Sequence, residues 1–228
     1  MFNFFGNKGK SKKQTPKDES EHIDAQQLET PTWLEVGSGN PFDAAILDIR
    51  SVTLYIISTT RDKSVAENYT KSRADNGQAY IDYDIPNSST YQSNLKYPHN
   101  GAELEGIVFK SDSMDVKWDI YVYGEWFYFV RSWTSELIYK VHYQNKDTEL
   151  VLDAIETSLD VQNTPNLHEQ NINSIMLTHV LGQVWPYVIP KSMHSSSEKE
   201  IALYMFSQFG NKATIATKAD TLDLKLNS

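Results

Sequence analysis

Six histidines are the first residues to examine for chemistry, and their spacing argues against a metal or a triad. His168-Glu169 opens like a zincin helix, but the second histidine that must share its face four residues on is replaced by Ile172. His179 falls on an apolar stripe, where a satisfied core histidine is the expectation. His22 lies near the start of the chain, His99 and His194 in polar segments and His142 in an extended run, with no spacing that joins them. The chain has no cysteine, which removes disulfides, thiol nucleophiles and cysteine-held zinc or iron–sulfur sites. Gly37-Ser38-Gly39-Asn40-Pro41 is no dinucleotide loop, because the glycine pattern stops and Pro41 lacks an amide for phosphate. A P-loop and a nucleophile elbow are both missing. No catalytic residue, metal or cofactor is assigned on this basis.

The residues that remain are charged or aromatic and clustered. Asp48 and Arg50 form a local pair, expected as a structural ion pair. Ten aromatic residues fall between Trp118 and Tyr143. A two-residue turn near Gly124 sorts this hairpin into two faces. One carries Val116, Trp118, Ile120 and Val122 opposite Phe127, Phe129, Arg131 and Trp133, and its hydrophobicity makes it the core face. Arg131 needs a partner there, and Trp118 and Trp133 can bracket it as cation–π neighbours. The other face carries Lys117, Asp119, Tyr121 and Tyr123 opposite Trp126, Tyr128, Val130 and Ser132. Its tyrosines are expected to be half-covered by C-terminal helices; the competing reading makes them a recognition surface. The candidate binding residues are therefore Asp48, Arg50, Trp118, Asp119, Tyr121, Tyr128, Arg131 and Trp133.

Elements that could position them are legible in the same stretch. Leu104–Lys110, Asp115–Tyr123, Trp126–Trp133, Leu137–Tyr143 and Glu149–Ile155 are rich in β-branched and aromatic residues, with short breaks between them. Tight connections predict an antiparallel meander of about five strands over 104–155, since parallel pairs need long crossovers. Thr32–Val36, Ala44–Thr53 and Ala79–Ile85 read as further extended segments. Ser64 with Glu67 suggests a helix to about Arg73. Ile172, Ile175, Met176 and His179 keep helical spacing up to Gly182, and Ser197 with Glu200 caps a second C-terminal helix carrying Ile201, Met205 and Phe209. Ala213–Thr217 and Leu222–Leu226 are expected to return to the sheet. The fold class expected is α+β: an antiparallel meander packed with a few helices.

Charge divides the chain into two parts. Residues 1–17 hold five lysines and no acid; residues 18–30 hold five acids and no base. The net charge of −9 therefore belongs to the remainder. Such blocks bury little apolar surface, so 1–30 is read as a flexible extension and 31–228 as a single α+β domain. Phe2, Phe4 and Phe5 before the lysines would suit peripheral membrane contact through residues 1–17, though a disordered terminus is the expectation. No signal peptide is recognised, and a cytoplasmic location is expected. An acidic body argues against nucleic acid as a ligand, because phosphate binding needs a concentrated positive face.

Three stretches resemble an uncharacterised bacterial family known as hypothetical proteins. They are Asn40-Pro41-Phe42 leading to Leu47-Asp48-Ile49-Arg50, Lys117-Trp118-Asp119-Ile120-Tyr121 with Arg131-Ser132-Trp133-Thr134, and Phe206-Ser207-Gln208-Phe209-Gly210. The resemblance spans roughly 33–217. It implies a shared fold, carries over no activity, and groups Asp48, Arg50, Trp118, Asp119, Arg131 and Trp133 into one site or network. Composition and motif content together lead to a non-catalytic module that binds another protein, as an immunity protein or regulatory accessory would. The alternative is an enzyme with a charged pocket around Asp48, Asp119 and Arg131.

Overall fold

Aromatic and β-branched residues dominate 104–158, and in the computed structural model, which describes residues 30–37, 39–159 and 164–227, they build one antiparallel sheet. In chain order the strands are β1 (Thr32–Leu34), β2 (Ile46–Asp48), β3 (Ser88–Pro98), β4 (Gly106–Phe109), β5 (Trp118–Tyr123), β6 (Trp126–Arg131), β7 (Leu137–Lys146), β8 (Glu149–Ser158), β9 (Tyr187–Val188) and β10 (Ile215–Thr217). The expected meander is β4 to β8, and β3 adds a sixth strand beside β8, giving the order β3-β8-β7-β6-β5-β4. The helices are α1 (Arg50–Thr53), α2 (Lys63–Ser72), α3 (Pro165–Ile175) and α4 (Glu198–Phe209), so the protein is α+β with two helices near the C-terminus. Among the described residues no helix is long and apolar enough to cross a membrane.

The hairpin register matches the expected faces: Trp118 pairs with Arg131, Ile120 with Phe129 and Val122 with Phe127. The helices α3 and α4 cover this face. Ile172, Ile175, Met176, Ile201, Met205 and Phe209 join Trp118, Ile120, Phe127 and Phe129 in the main core. Ser197 closes the expected capping box with Glu200 at the start of α4. The helix over 165–175 begins at Thr164, whose hydroxyl accepts from the Leu167 amide, and continues into a π-helical turn over Met176–Val180.

Five expectations are corrected. The C-terminal helices do not cover Tyr121 and Tyr128; a segment around Tyr80 and Ile85 does, on the opposite side of the sheet. That segment was expected as a strand over Ala79–Ile85 but folds as a 3-10 turn (Gln78–Tyr80) and coil, because its apolar residues cap the tyrosines rather than extend a sheet. Ala44–Thr53 is not one extended run: the chain leaves β2 at Asp48 and turns into α1. Asp62, not Ser64, caps α2, its carboxylate accepting from the Ser64 amide at 2.8 Å. Finally, Ala213–Thr217 returns to a second sheet of order β1-β2-β10-β9, and Leu222–Leu226 forms turns with a single bridge from Leu226 to Phe42. Of the extension expected over 1–30, residues 1–29 lie outside the described residues.

β3 and β4 are consecutive in the chain yet occupy opposite edges of the sheet. Residues 99–105 can span about 25 Å when extended, close to the five strand spacings of about 4.8 Å that separate the edges. The link runs along the end of the sheet, where the His99 amide donates to Thr148 O at 2.8 Å and the Asn145 side chain to Ala102 O at 3.1 Å.

Candidate functional site

The ladder between β5 and β6 ends at the Trp118–Arg131 pair, and beyond it both chains leave regular pairing. Lys117 precedes β5, while Trp133 and Thr134 sit in the turn that follows β6. The C-terminal end of α4 packs over this sheet end. Gly210 makes the close approach possible: a Cβ there would lie 1.9 Å from Asp115 O, and its φ of +71° suits glycine. The Asn211 amide then donates to Asp115 O at 2.9 Å. Between α1 and α2, residues 56–59 close the third side, pinned by the Ser58 amide on the Asp115 carboxylate at 2.6 Å. The result is a cleft of about 590 Å³ whose lining includes Ile56, Ile57, Lys117, Arg131, Trp133 and Phe206.

Two cations stand in this cleft. Lys117 is 9% exposed, and its Nζ donates to Ser58 Oγ and Met114 O, both at 2.8 Å. The ammonium lies 4.1 Å from the Trp133 ring centroid and 4.7 Å from that of Phe206, so it is held between two aromatic faces. Desolvation lowers its pKa to about 8, against an upward pull from Asp115 and a further downward push from Arg131. Arg131 lies 4.4 Å over Trp118 and donates from Nη1 to Gln208 O at 2.5 Å and from Nη2 to Gln208 Oε1 at 2.8 Å. Burial lowers its pKa too, although the guanidinium remains charged. Trp118 shares the same carbonyl through Nε1 at 3.0 Å. Neither cation has a carboxylate within salt-bridge distance among the described residues; the ion pairs there involve Arg50, Lys110 and His142.

The eight sequence candidates separate into three places. Trp118, Arg131 and Trp133 meet at or beneath the cleft. Asp119, Tyr121 and Tyr128 point to the opposite side of the sheet, where Asp119 is 1% exposed, bonded to Lys110 Nζ at 3.0 Å and to the Ser111 amide at 2.8 Å. Tyr121 is buried there too, its hydroxyl against Lys110 Nζ and its ring stacked on Tyr80 at 5.9 Å. Asp48 and Arg50 form a surface pair beside the second sheet, with Arg50 Nε 2.9 Å from Asp48 Oδ1, and this contact holds the Asp48 carboxyl below its ordinary pKa. A single pocket around Asp48, Asp119 and Arg131 is therefore not formed. Trp133 does not bracket Arg131; it takes Lys117 instead, and donates its Nε1 to Met114 O at 2.5 Å.

Lys117, Phe206 and residues 56–59 were not singled out as site residues by sequence. Strand alternation put Lys117 beside Asp119, a rule that lapses once the ladder ends and a long side chain can turn to another surface. Chemically the cleft offers two positive charges, aromatic walls and the hydroxyls of Ser58, Thr59, Thr134 and Ser207, with Glu136 as the one lining carboxylate among the described residues. Among the described residues no histidine lines it and no three His, Asp or Glu side chains gather as a metal site. Comparison with protein-family models, curated proteins and solved structures found no match for this chain.

Proposed function

We propose that this chain is a non-catalytic accessory module that binds a protein partner across the cleft and its exposed 54–57 rim. The observation that carries the reading is a pair of desolvated cations whose hydrogen-bond partners are all neutral, facing an apolar cleft. Ile57 on the cleft lining is 79% exposed and Tyr55, two residues before it in the chain, 67%, so large apolar side chains are left open to solvent beside the cleft's 56–59 wall. Lys117, Arg131, Trp133, Thr134, Phe206 and Ser207 come from two of the three stretches that carry the family resemblance, and they converge at this one place. The cleft floor is cationic in a chain of net charge −9, so it would take an acidic group.

A photo-crosslinking side chain placed at residue 57, with Ile107 on the outer sheet edge as an exposed control, tests the proposal in cells that express the protein naturally. The expected result is one protein adduct specific to position 57 and lost on Tyr55→Asp. Identical adducts from both positions, or none from 57, would overturn the assignment of this face.

A further inference from the structure

We infer that the cleft binds an organic carboxylate carrying an aromatic or aliphatic body, with Lys117 and Arg131 on the carboxylate and Trp133, Phe206 and Ile56 around the body. This rests on the reading of the cleft as the binding face, but not on the partner being a protein. A cation taken out of water is costly unless charge and hydrogen bonds compensate it. Here Ser58 Oγ, Met114 O, Gln208 O, Gln208 Oε1 and three aromatic faces compensate in part, all of them neutral. A carboxylate would add charge-assisted bonds, which are roughly twice as strong as neutral ones.

The geometry also selects against more highly charged anions. The helix end at the cleft is the C-terminus of α4, where the carbonyls carry about half a negative charge; Arg131 is bonded to one of them. Phosphates are held at the other end of helices, by free amides, and at that end of α4 the Ser197 side chain takes the Glu200 amide. Glu136 on the lining adds a further negative charge. One monoanion fits this balance, and a dianion does not. The volume of about 590 Å³ lies within the range of small-molecule sites, and the lining supplies the apolar surface such a ligand needs.

Calorimetry on the full chain with five probes tests the inference: 3-phenylpropanoate, its amide, a tetrapeptide ending in a free phenylalanine carboxylate, the same peptide amidated, and inorganic phosphate. Both free acids should bind at least tenfold more tightly than their amides and than phosphate. Lys117→Met should weaken the acids at least tenfold, and Lys117→Arg should restore them. Should Lys117→Met fold poorly, Ser207→Glu supplies a second variant: a carboxylate on the cleft wall should block the probes while the protein melts no lower. Tighter binding of phenylpropanoate than of the peptide identifies a free small acid as the source, and the reverse a chain end of a protein partner. Equal binding of acids and amides, equal binding of phosphate, no binding of any probe, or no effect of the variants would overturn the inference. A cleft that takes carboxylates while residue 57 crosslinks nothing would overturn the protein-partner reading alone.

Discussion

Lys117 shows how burial turns one side chain into a reporter of its surroundings. Its pKa in the folded chain is about 8, below the ordinary lysine value of 10.5, because desolvation outweighs the attraction of Asp115 and Arg131 adds repulsion. Between about pH 8 and 10.5 the unfolded chain thus holds a proton at this position that the folded chain has released. Stability rises with pH wherever the unfolded state binds more protons, so this group opposes folding most below pH 8 and progressively less above it. Buried tyrosines act in the other direction: desolvation raises the pKa of Tyr97, Tyr121 and Tyr187, and that stabilising contribution fades only at higher pH. Lys117→Met should therefore flatten the rise in the denaturant midpoint between pH 8 and 9.5 relative to the parent chain. Parallel midpoint curves for the two proteins would show that Lys117 keeps its full charge in the cleft.

At the scale of elements, the hairpin was legible and its neighbours less so. Aromatic and β-branched residues with breaks of two to five residues define β5 to β8 unambiguously, and the faces follow from period-two alternation. β3 was missed because its start, Ser88-Ser89-Thr90-Tyr91-Gln92-Ser93-Asn94, is polar, as befits an edge strand. Its shift in register falls between Gln92 and Leu95, where Glu169 on α3 accepts from Ser93 Oγ at 2.9 Å and the Asn94 amide at 3.0 Å, a contact no local pattern announces. The cover over the tyrosines was legible as alternation but not as a cap, since only tertiary contact distinguishes the two. Gly77 explains part of that packing: its missing Cβ would lie 2.3 Å from Tyr121 Cγ, so the chain can rest directly on the ring. Tyr121 and Tyr128 are 1% and 2% exposed and face each other across β5 and β6. Replacing one buried aromatic by a small residue costs about 3–5 kcal/mol, and adjacent sites need not add. The double variant Tyr121→Ser/Tyr128→Ser should lose at least about 5 kcal/mol, enough to unfold a domain of ordinary stability. Retention of the native circular dichroism and melting temperature would show that these rings belong to a surface instead.

The whole molecule turns on how two sheets share one interior. Leu47, Ile49 and Ala216 come from the small sheet and its margins, and they belong to the same cluster as Trp118, Phe129 and Ile155 of the large sheet. Thr32–Val36, Ala44–Thr53 and Ala213–Thr217 were legible as extended segments, but strands of two or three residues carry no signal of their partners, so their pairing into a second sheet was not; what holds it is its contact with the shared core. That geometry also sets the cleft, because the chain passes from β2 through α1 into the 56–59 segment, and Val52 of α1 is buried in the same cluster. If the two sheets are one cooperative unit, weakening the small one must loosen the cleft only by unfolding everything. Leu47 is fully buried, and Leu47→Ala should cost about 2–5 kcal/mol as a large-to-small core change. The loss should appear as a single transition, with the same midpoint by tryptophan fluorescence, to which Trp33 of the small sheet contributes along with Trp118, Trp126, Trp133 and Trp185, and by far-ultraviolet circular dichroism, which is dominated by the large sheet. Two separated midpoints, with tryptophan fluorescence changing first, would instead make the small sheet and its 56–59 extension an independently opening flap over the two cations.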